Sequence, residues 1–170
     1  AAHKWGRAEL YNPLRLLAGP IPVKDRLVFA TVGATLAFPR LAQLVLAAKR
    51  SGVLPGEVIL QAGDGAADLA MVEGVKVVKE LPFDEIRALL ARASIVICHG
   101  GTGSIVTALQ NYCHVIVIPR RHELGEHYDD HQTEITSSFQ QRGLVRIADD
   151  ETSLGKAIDE LNGKSPVGAT

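Results

Sequence analysis

The chain has 170 residues, 46% of them hydrophobic, and a net charge of −1. That size and apolar content suit one globular domain with a substantial core. The near-neutral balance, with no run of Lys or Arg, excludes a surface built to neutralise a nucleic-acid backbone.

Residues 1–26 mix Trp5, Tyr11, Leu14, Leu16 and Leu17 with Arg7, Arg15 and three prolines, and show no regular period. They read as a linker or as a partner-docking arm. From Leu27 onward, strand and helix patterns alternate. Leu27–Val32, apolar except for Thr31, reads as a buried strand, and the turn Gly33-Ala34-Thr35 follows it. A helix opens near Pro39, a residue tolerated in the first turn. Phe38, Leu41, Leu44, Val45 and Ala48 fall on one face before Ser51-Gly52 stops it. Glu57–Gln61 is a second strand, ending at Gly63-Asp64-Gly65, and Val75–Val78 is a third. Pro82 then introduces a helix with Ile86, Leu89, Leu90 and Ala93 at apolar spacing. Ile95–Cys98 is the fourth strand, and Val115–Ile118, closed by Pro119, is the fifth. A helix over roughly residues 127–142 ends at Gly143, and Leu144–Ile147 is the sixth strand. Asp150 is placed to cap a last helix carrying Leu154, Ile158 and Leu161. Six short buried strands with helices between them predict an α/β fold, a doubly wound, Rossmann-like parallel sheet. It is expected to span residues 27–162, with 163–170 as a tail.

The stretch Cys98-His99-Gly100-Gly101-Thr102-Gly103-Ser104 carries the strongest chemical signal. It joins the fourth strand to a helix marked by Ile105, Val106, Ala108 and Leu109. A helix N-terminus presents unpaired N–H groups and a partial positive charge, which suits a phosphate. Glycines let an anion approach the backbone, and three in four positions exceed what a turn needs. A side chain at Gly101 is therefore expected to block a diphosphate without harming the strand. The spacing is neither that of a P-loop, since no Lys follows, nor G-x-G-x-x-G. A hydrolase reading of His99-Gly100-Gly101 fails for want of a G-x-S-x-G elbow. Turns after strand ends at Gly33 and at Gly100–Gly103 can flank one crevice, because ligands in such sheets bind beyond the carboxyl ends of the strands.

Residues 119–134 hold three of the six histidines. His127 and His131 are four apart on one helical face, with Glu123, Glu126 and Asp130 close by. A metal site, a solvated helix face and contacts to a polyhydroxylated ligand all stand open. The run His122–His127 is one residue too long for H-E-x-x-H and carries Gly125, so the polar-ligand reading is preferred and no metal is assigned. Arg120 and Arg121 either pair with a carboxylate of a ligand or are solvated. Cys98 and Cys113 lack metal or redox spacing and read as buried thiols of a reducing compartment. With no bilayer-length apolar run and no signal peptide, a cytoplasmic chain is expected.

Four motifs in order carry a resemblance: Thr31-Val32-Gly33-Ala34-Thr35 with Phe38, Cys98–Ser104, Val115–Arg120, and Gly125-Glu126-His127 followed by Asp130-His131-Gln132 and Glu134. Together they resemble the C-terminal, donor-binding domain of glycosyltransferase family 28. The likeness is greatest to small subunits of two-component transferases, the dolichol-linked N-acetylglucosaminyltransferase subunits and bacterial exopolysaccharide glucuronosyltransferase subunits. The resemblance implies half of a GT-B fold that binds a UDP-sugar and needs no cofactor beyond that donor. It places a lipid-linked saccharide acceptor in an N-terminal domain or a membrane-anchored partner subunit, which would hold the chain at the cytosolic face.

By position, Gly100, Gly101, Thr102, Gly103 and Ser104 would hold the diphosphate. Asp130, His131 and Gln132 would face the donor sugar, and Gly33, Thr35 and Arg120 would line the cleft. The catalytic base is unassigned, with His99 and Glu126 as candidates. Where the family usually has a Glu for the ribose hydroxyls, this chain has Thr107, and the family's usual Gly and Pro near Tyr112 and His114 are missing. Two readings follow: an inverting transferase, or a non-catalytic nucleotide-sugar-binding or regulatory subunit that stabilises a partner glycosyltransferase.

Overall fold

The computed structural model describes residues 24–33, 37–54, 56–121, 124 and 130–161, with the backbone alone for Thr102 and residues 130–135. Six strands form one parallel sheet: β1 (Leu27–Thr31), β2 (Glu57–Gln61), β3 (Val75–Val78), β4 (Ile95–Cys98), β5 (His114–Val117) and β6 (Val145–Ile147). Their spatial order is β3-β2-β1-β4-β5-β6, the doubly wound arrangement expected from the strand–helix alternation. Register is set residue by residue, with Thr31 opposite both Gln61 and Cys98. The expected strand ends differ from the observed ones by a residue at four places. At two of them the ladder outlasts the strand: Val32 N–H still donates to Gln61 O and Ile118 N–H to Cys98 O, at 3.1 and 2.8 Å.

Helices cover both faces, which is why the central strands β1 and β4 are buried along their whole length and β4 reads as an unbroken apolar run. On one face, α1 (Pro39–Arg50) and α5 (Glu151–Leu161) bury Leu41, Val45, Leu154 and Ile158 against Val28, Ala30, Ile97 and Ile116. On the other, α2 (Phe83–Arg92), α3 (Thr102–Gln110) and α4 (Asp130–Gln141) enclose Phe29, Val96 and Val117 with Leu90, Ile105, Leu109 and Phe139. Adjacent residues such as Val28 and Phe29 serve opposite layers, as the two-residue strand period requires. Burying each such large side chain contributes roughly 1.5–3 kcal/mol. After β2, the expected turn is a 3-10 helix over Gly63–Asp68, whose Ala66 packs on the α1 side of the core.

The end of the N-terminal arm is stitched to the far edge of the α2–α3 layer. Lys24 Nζ donates to Leu90 O and Ala91 O at 2.9 and 3.0 Å and also to Asn111 O. It thereby places a cation on the carbonyl end of α2, where the helix dipole favours it. Asp25 pairs with Arg92 at 2.8 Å. Residues 1–23 and 162–170 lie outside the described residues.

Sheet order reverses between β1 and β4. Chains leaving the carboxyl ends of these two strands diverge, and a crevice opens between them. Gly33 follows β1 and the glycine loop follows β4, so the topology brings both turns to one place.

Candidate functional site

The loop after β4 turns sharply at Gly100, whose φ of +99° favours glycine. Gly101 is the N-cap of α3, in an extended conformation, and no side chain among the described residues caps the helix. No acidic residue lies in its first turn. The start of α5 shows what a closed terminus looks like here. There Asp150 Oδ1 accepts from Ser153 N–H at 2.8 Å, and Ser153 Oγ accepts from Asp149 N–H at 2.8 Å. The start of α3 instead leaves its first amide groups and its dipole facing the crevice, an arrangement that favours an anion.

The glycines of the two turns have different physical causes. A Cβ on Gly33, itself at φ +90°, would lie 2.6 Å from His99 Nε2, and a Cβ on Gly101 would lie 2.9 Å from the same atom. The imidazole is therefore pressed against both turns, and both must lack side chains to admit it. A valine at Gly101 would meet the His99 ring first, so its effect cannot be assigned to a ligand alone, contrary to the sequence-based expectation. Gly103 is different. It has no positive φ, and nothing lies within 4 Å of where its Cβ would be. No contact among the described residues requires a glycine there.

His99 Nδ1 is buried and has no hydrogen-bond partner among the described residues. Burial and, secondarily, the nearby Arg120 guanidinium push the imidazole pKa down from 6.5 to about 4. At neutral pH the ring is uncharged. Because the folded chain binds this proton more weakly than the unfolded one, protonation favours unfolding. The stability His99 confers is thus complete above pH 6.5 and is lost as pH falls from there towards 4. The wild-type melting temperature should fall more between pH 7 and pH 4 than that of His99→Asn. Parallel pH curves for the two proteins would contradict the assignment.

Arg120 is 8% exposed. Its guanidinium donates to Val32 O at 3.1 Å and Ala37 O at 2.9 Å, and lies 4.5 Å from the centre of the Phe38 ring. It ties together the two ends of the loop that contains Gly33 and Thr35. Arg121 pairs with Asp149 at 2.8 Å. Both arginines hold protein groups, a role that the sequence alternatives of ligand pairing or solvation did not include. Cys98 and Cys113 are buried, and burial pushes each thiol up to about 11.

Beside the glycine loop, a cavity of about 400 Å³ opens along the α2–α3 face, within the size range of small-molecule sites. Gly103, Ser104 and Thr107 of α3 form one side, and Phe83, Ile86 and Leu90 of α2 form the other. Its floor is the sheet, with Phe29 and Val96 below and Thr31, Gln61 and Gly33 at the strand ends. Phe83 is 71% exposed, with the Arg87 guanidinium 5.9 Å from the centre of its ring. Thr107 Oγ1 donates back to Gly103 O at 2.7 Å within its own helix. No Asp, Glu or His lines the cavity among the described residues.

The structure thus brings Gly33, Gly100, Gly101, Gly103 and Ser104 to one crevice, with Arg120 behind it. Asp130, His131 and Gln132 begin α4, the neighbour of α3 in the same layer. Thr35 and Glu126 lie outside the described residues. Thr31, Gln61 and Phe83 escaped notice as cavity residues. Their signal was a polar residue closing the apolar run of each of two strands, and an aromatic at the first turn of a helix.

A parallel sheet with this strand order and helices on both faces defines a Rossmann-like α/β domain. The chain belongs to the glycosyltransferase family 28 C-terminal domain family, whose profile matches residues 27–169. It is 28% identical over 137 residues to the UDP-N-acetylglucosamine transferase subunit ALG13 of Yarrowia lipolytica, covering 76% of this chain and 68% of that protein. Among solved structures, it superposes on the spinosyn rhamnosyltransferase SpnG with a TM-score of 0.65 and 18% identity, covering 86% of this chain and 41% of that one. The glycosyltransferase of kitacinnamycin gives a TM-score of 0.64 at 21% identity, over 83% of this chain and 36% of that chain. The chain therefore has the fold of one half of a GT-B glycosyltransferase and spans well under half of these solved enzymes.

Proposed function

We propose that this chain is the donor-binding domain or subunit of an inverting UDP-sugar hexosyltransferase that elongates a lipid-linked saccharide in polysaccharide or glycolipid synthesis. The observation that carries this reading is Gly103: a glycine that no contact among the described residues requires, at a helix N-terminus that none of them caps, on the wall of a cavity. The diphosphate lies on the backbone N–H groups of Gly100–Ser104, its charge met by the helix dipole. The planar base enters the cavity beneath Phe83. The donor sugar extends the other way, to the start of α4, where Asp130, His131 and Gln132 offer donors and acceptors to its hydroxyls. The acceptor belongs to a second domain or to a membrane-anchored partner subunit, which keeps the chain peripheral at the cytosolic face.

One observation favours a second reading. Thr107 offers no carboxylate to ribose hydroxyls and its own hydroxyl proton is committed to Gly103 O, which suits a non-catalytic nucleotide-sugar-binding subunit that stabilises a partner. Calorimetry and transfer assays separate the two. Under the first reading UDP binds, chelators leave that binding intact, and sugar transfer appears when acceptor-bearing membranes are supplied. His131→Ala and Gln132→Ala should weaken UDP-sugar at least tenfold and UDP hardly at all, since UDP lacks the groups they contact. Binding without transfer supports the second reading, and absence of UDP binding overturns both.

A further inference from the structure

Gln61 closes β2 and is 8% exposed, and it lines the cavity. Buried amides are normally satisfied on both ends. Here only one end is. Gly33 N–H donates to Thr31 Oγ1 at 3.1 Å, and Thr31 Oγ1 donates to Gln61 Oε1 at 2.9 Å. Gln61 Nε2 has no partner among the described residues. The chain of bonds has a direction. The Thr31 hydroxyl accepts from Gly33 and donates to Gln61, so the amide oxygen is committed to Thr31 and the N–H groups are turned towards the cavity. Thr31 and Gln61 are register partners on adjacent strands, so this orientation is built into the sheet.

We infer that Gln61, held by Thr31, is a specificity-determining donor that reads a carbonyl on the far edge of a pyrimidine base. The inference rests on the proposed diphosphate site and deepens it. β2 lies two strands from β4 in the sheet, about 10 Å at the usual strand spacing. With a diphosphate at the α3 terminus, the atom reaching Gln61 is the one opposite the glycosidic bond. In uracil and thymine that atom is the C4 carbonyl oxygen, an acceptor. In cytosine it is the C4 amino group, a donor facing a donor, which leaves buried N–H groups unpaired.

Calorimetry with UDP and CDP on the full chain tests this. UDP should bind at least tenfold more tightly than CDP, about 1.4 kcal/mol. Gln61→Leu should lower UDP affinity towards that of CDP. Thr31→Val should narrow the UDP/CDP ratio below about threefold with a smaller loss of UDP affinity, because the amide is then free to turn its oxygen inward. The wild-type ratio needs no variant, so misfolding of either mutant leaves the inference exposed. Equal affinities of wild type for UDP and CDP overturn the base assignment while leaving the diphosphate site standing. Failure of both nucleotides to bind overturns the diphosphate site and this inference with it.

Discussion

Gly103→Val should weaken UDP binding at least tenfold, a loss of about 1.4 kcal/mol, while leaving the fold as stable as before. Gly103 sits in the first turn of α3 with no positive φ and with no described residue within 4 Å of its Cβ position, so a side chain meets none of them. That same space lies on the cavity wall beside the amide groups proposed to hold the diphosphate. Gly103→Ala sharpens the case. A helical glycine replaced by alanine without strain stabilises a protein by about 0.4–1 kcal/mol, largely by restricting the unfolded chain. The melting temperature should therefore rise while UDP affinity falls, two effects of opposite sign from one methyl group. Gly101→Val behaves differently, losing stability and binding together, because its Cβ would stand 2.9 Å from His99 Nε2. Unchanged UDP affinity in Gly103→Val, measured by calorimetry, would remove the glycine loop from the site.

That contrast shows where the sequence is legible and where it stops. Strand order and layer assignment follow from local patterns: unbroken apolar runs such as Ile95–Cys98 and helical spacing such as Leu41, Val45 and Ala48. The anion site at α3 was legible for the same reason, since it needs only a strand, glycines and a helix start in sequence. The division of labour among the glycines was not. Gly33 and Gly101 are glycines because the His99 ring lies against both, and Gly33 is 66 residues away from it in the chain. Arg120 is the same kind of case. Next to Arg121 in the sequence it looks like a charged loop residue. In the fold its guanidinium reaches Val32 O and Ala37 O, groups more than 80 residues distant. The Gln61 amide also depends on a cross-strand partner, Thr31. Contacts made through tertiary structure leave no period and no spacing to read.

The largest functional effect expected is the dependence of transfer on a second wall. Transfer requires the donor's anomeric carbon and an acceptor hydroxyl to be held in reacting geometry, and that positioning can supply a large share of the rate. The switch-point crevice of a single doubly wound sheet gives one wall only, and the described residues furnish little acid–base chemistry along it. No Asp, Glu or His lines the cavity among the described residues. His99, the ionisable group nearest the glycine turns, is uncharged at neutral pH and pressed against Gly33 and Gly101 instead of lining the cavity. The purified 170-residue chain should accordingly bind UDP, yet transfer labelled sugar from a UDP-sugar to a lipid-linked acceptor at a rate lower by at least about a thousandfold than in the presence of the acceptor-binding domain or subunit. Adding membranes that carry the partner should restore turnover without changing UDP affinity by more than about threefold, since the nucleotide contacts lie within this chain. Full turnover by the purified chain alone would mean that acceptor and base both reside here, and the half-site reading would have to be abandoned.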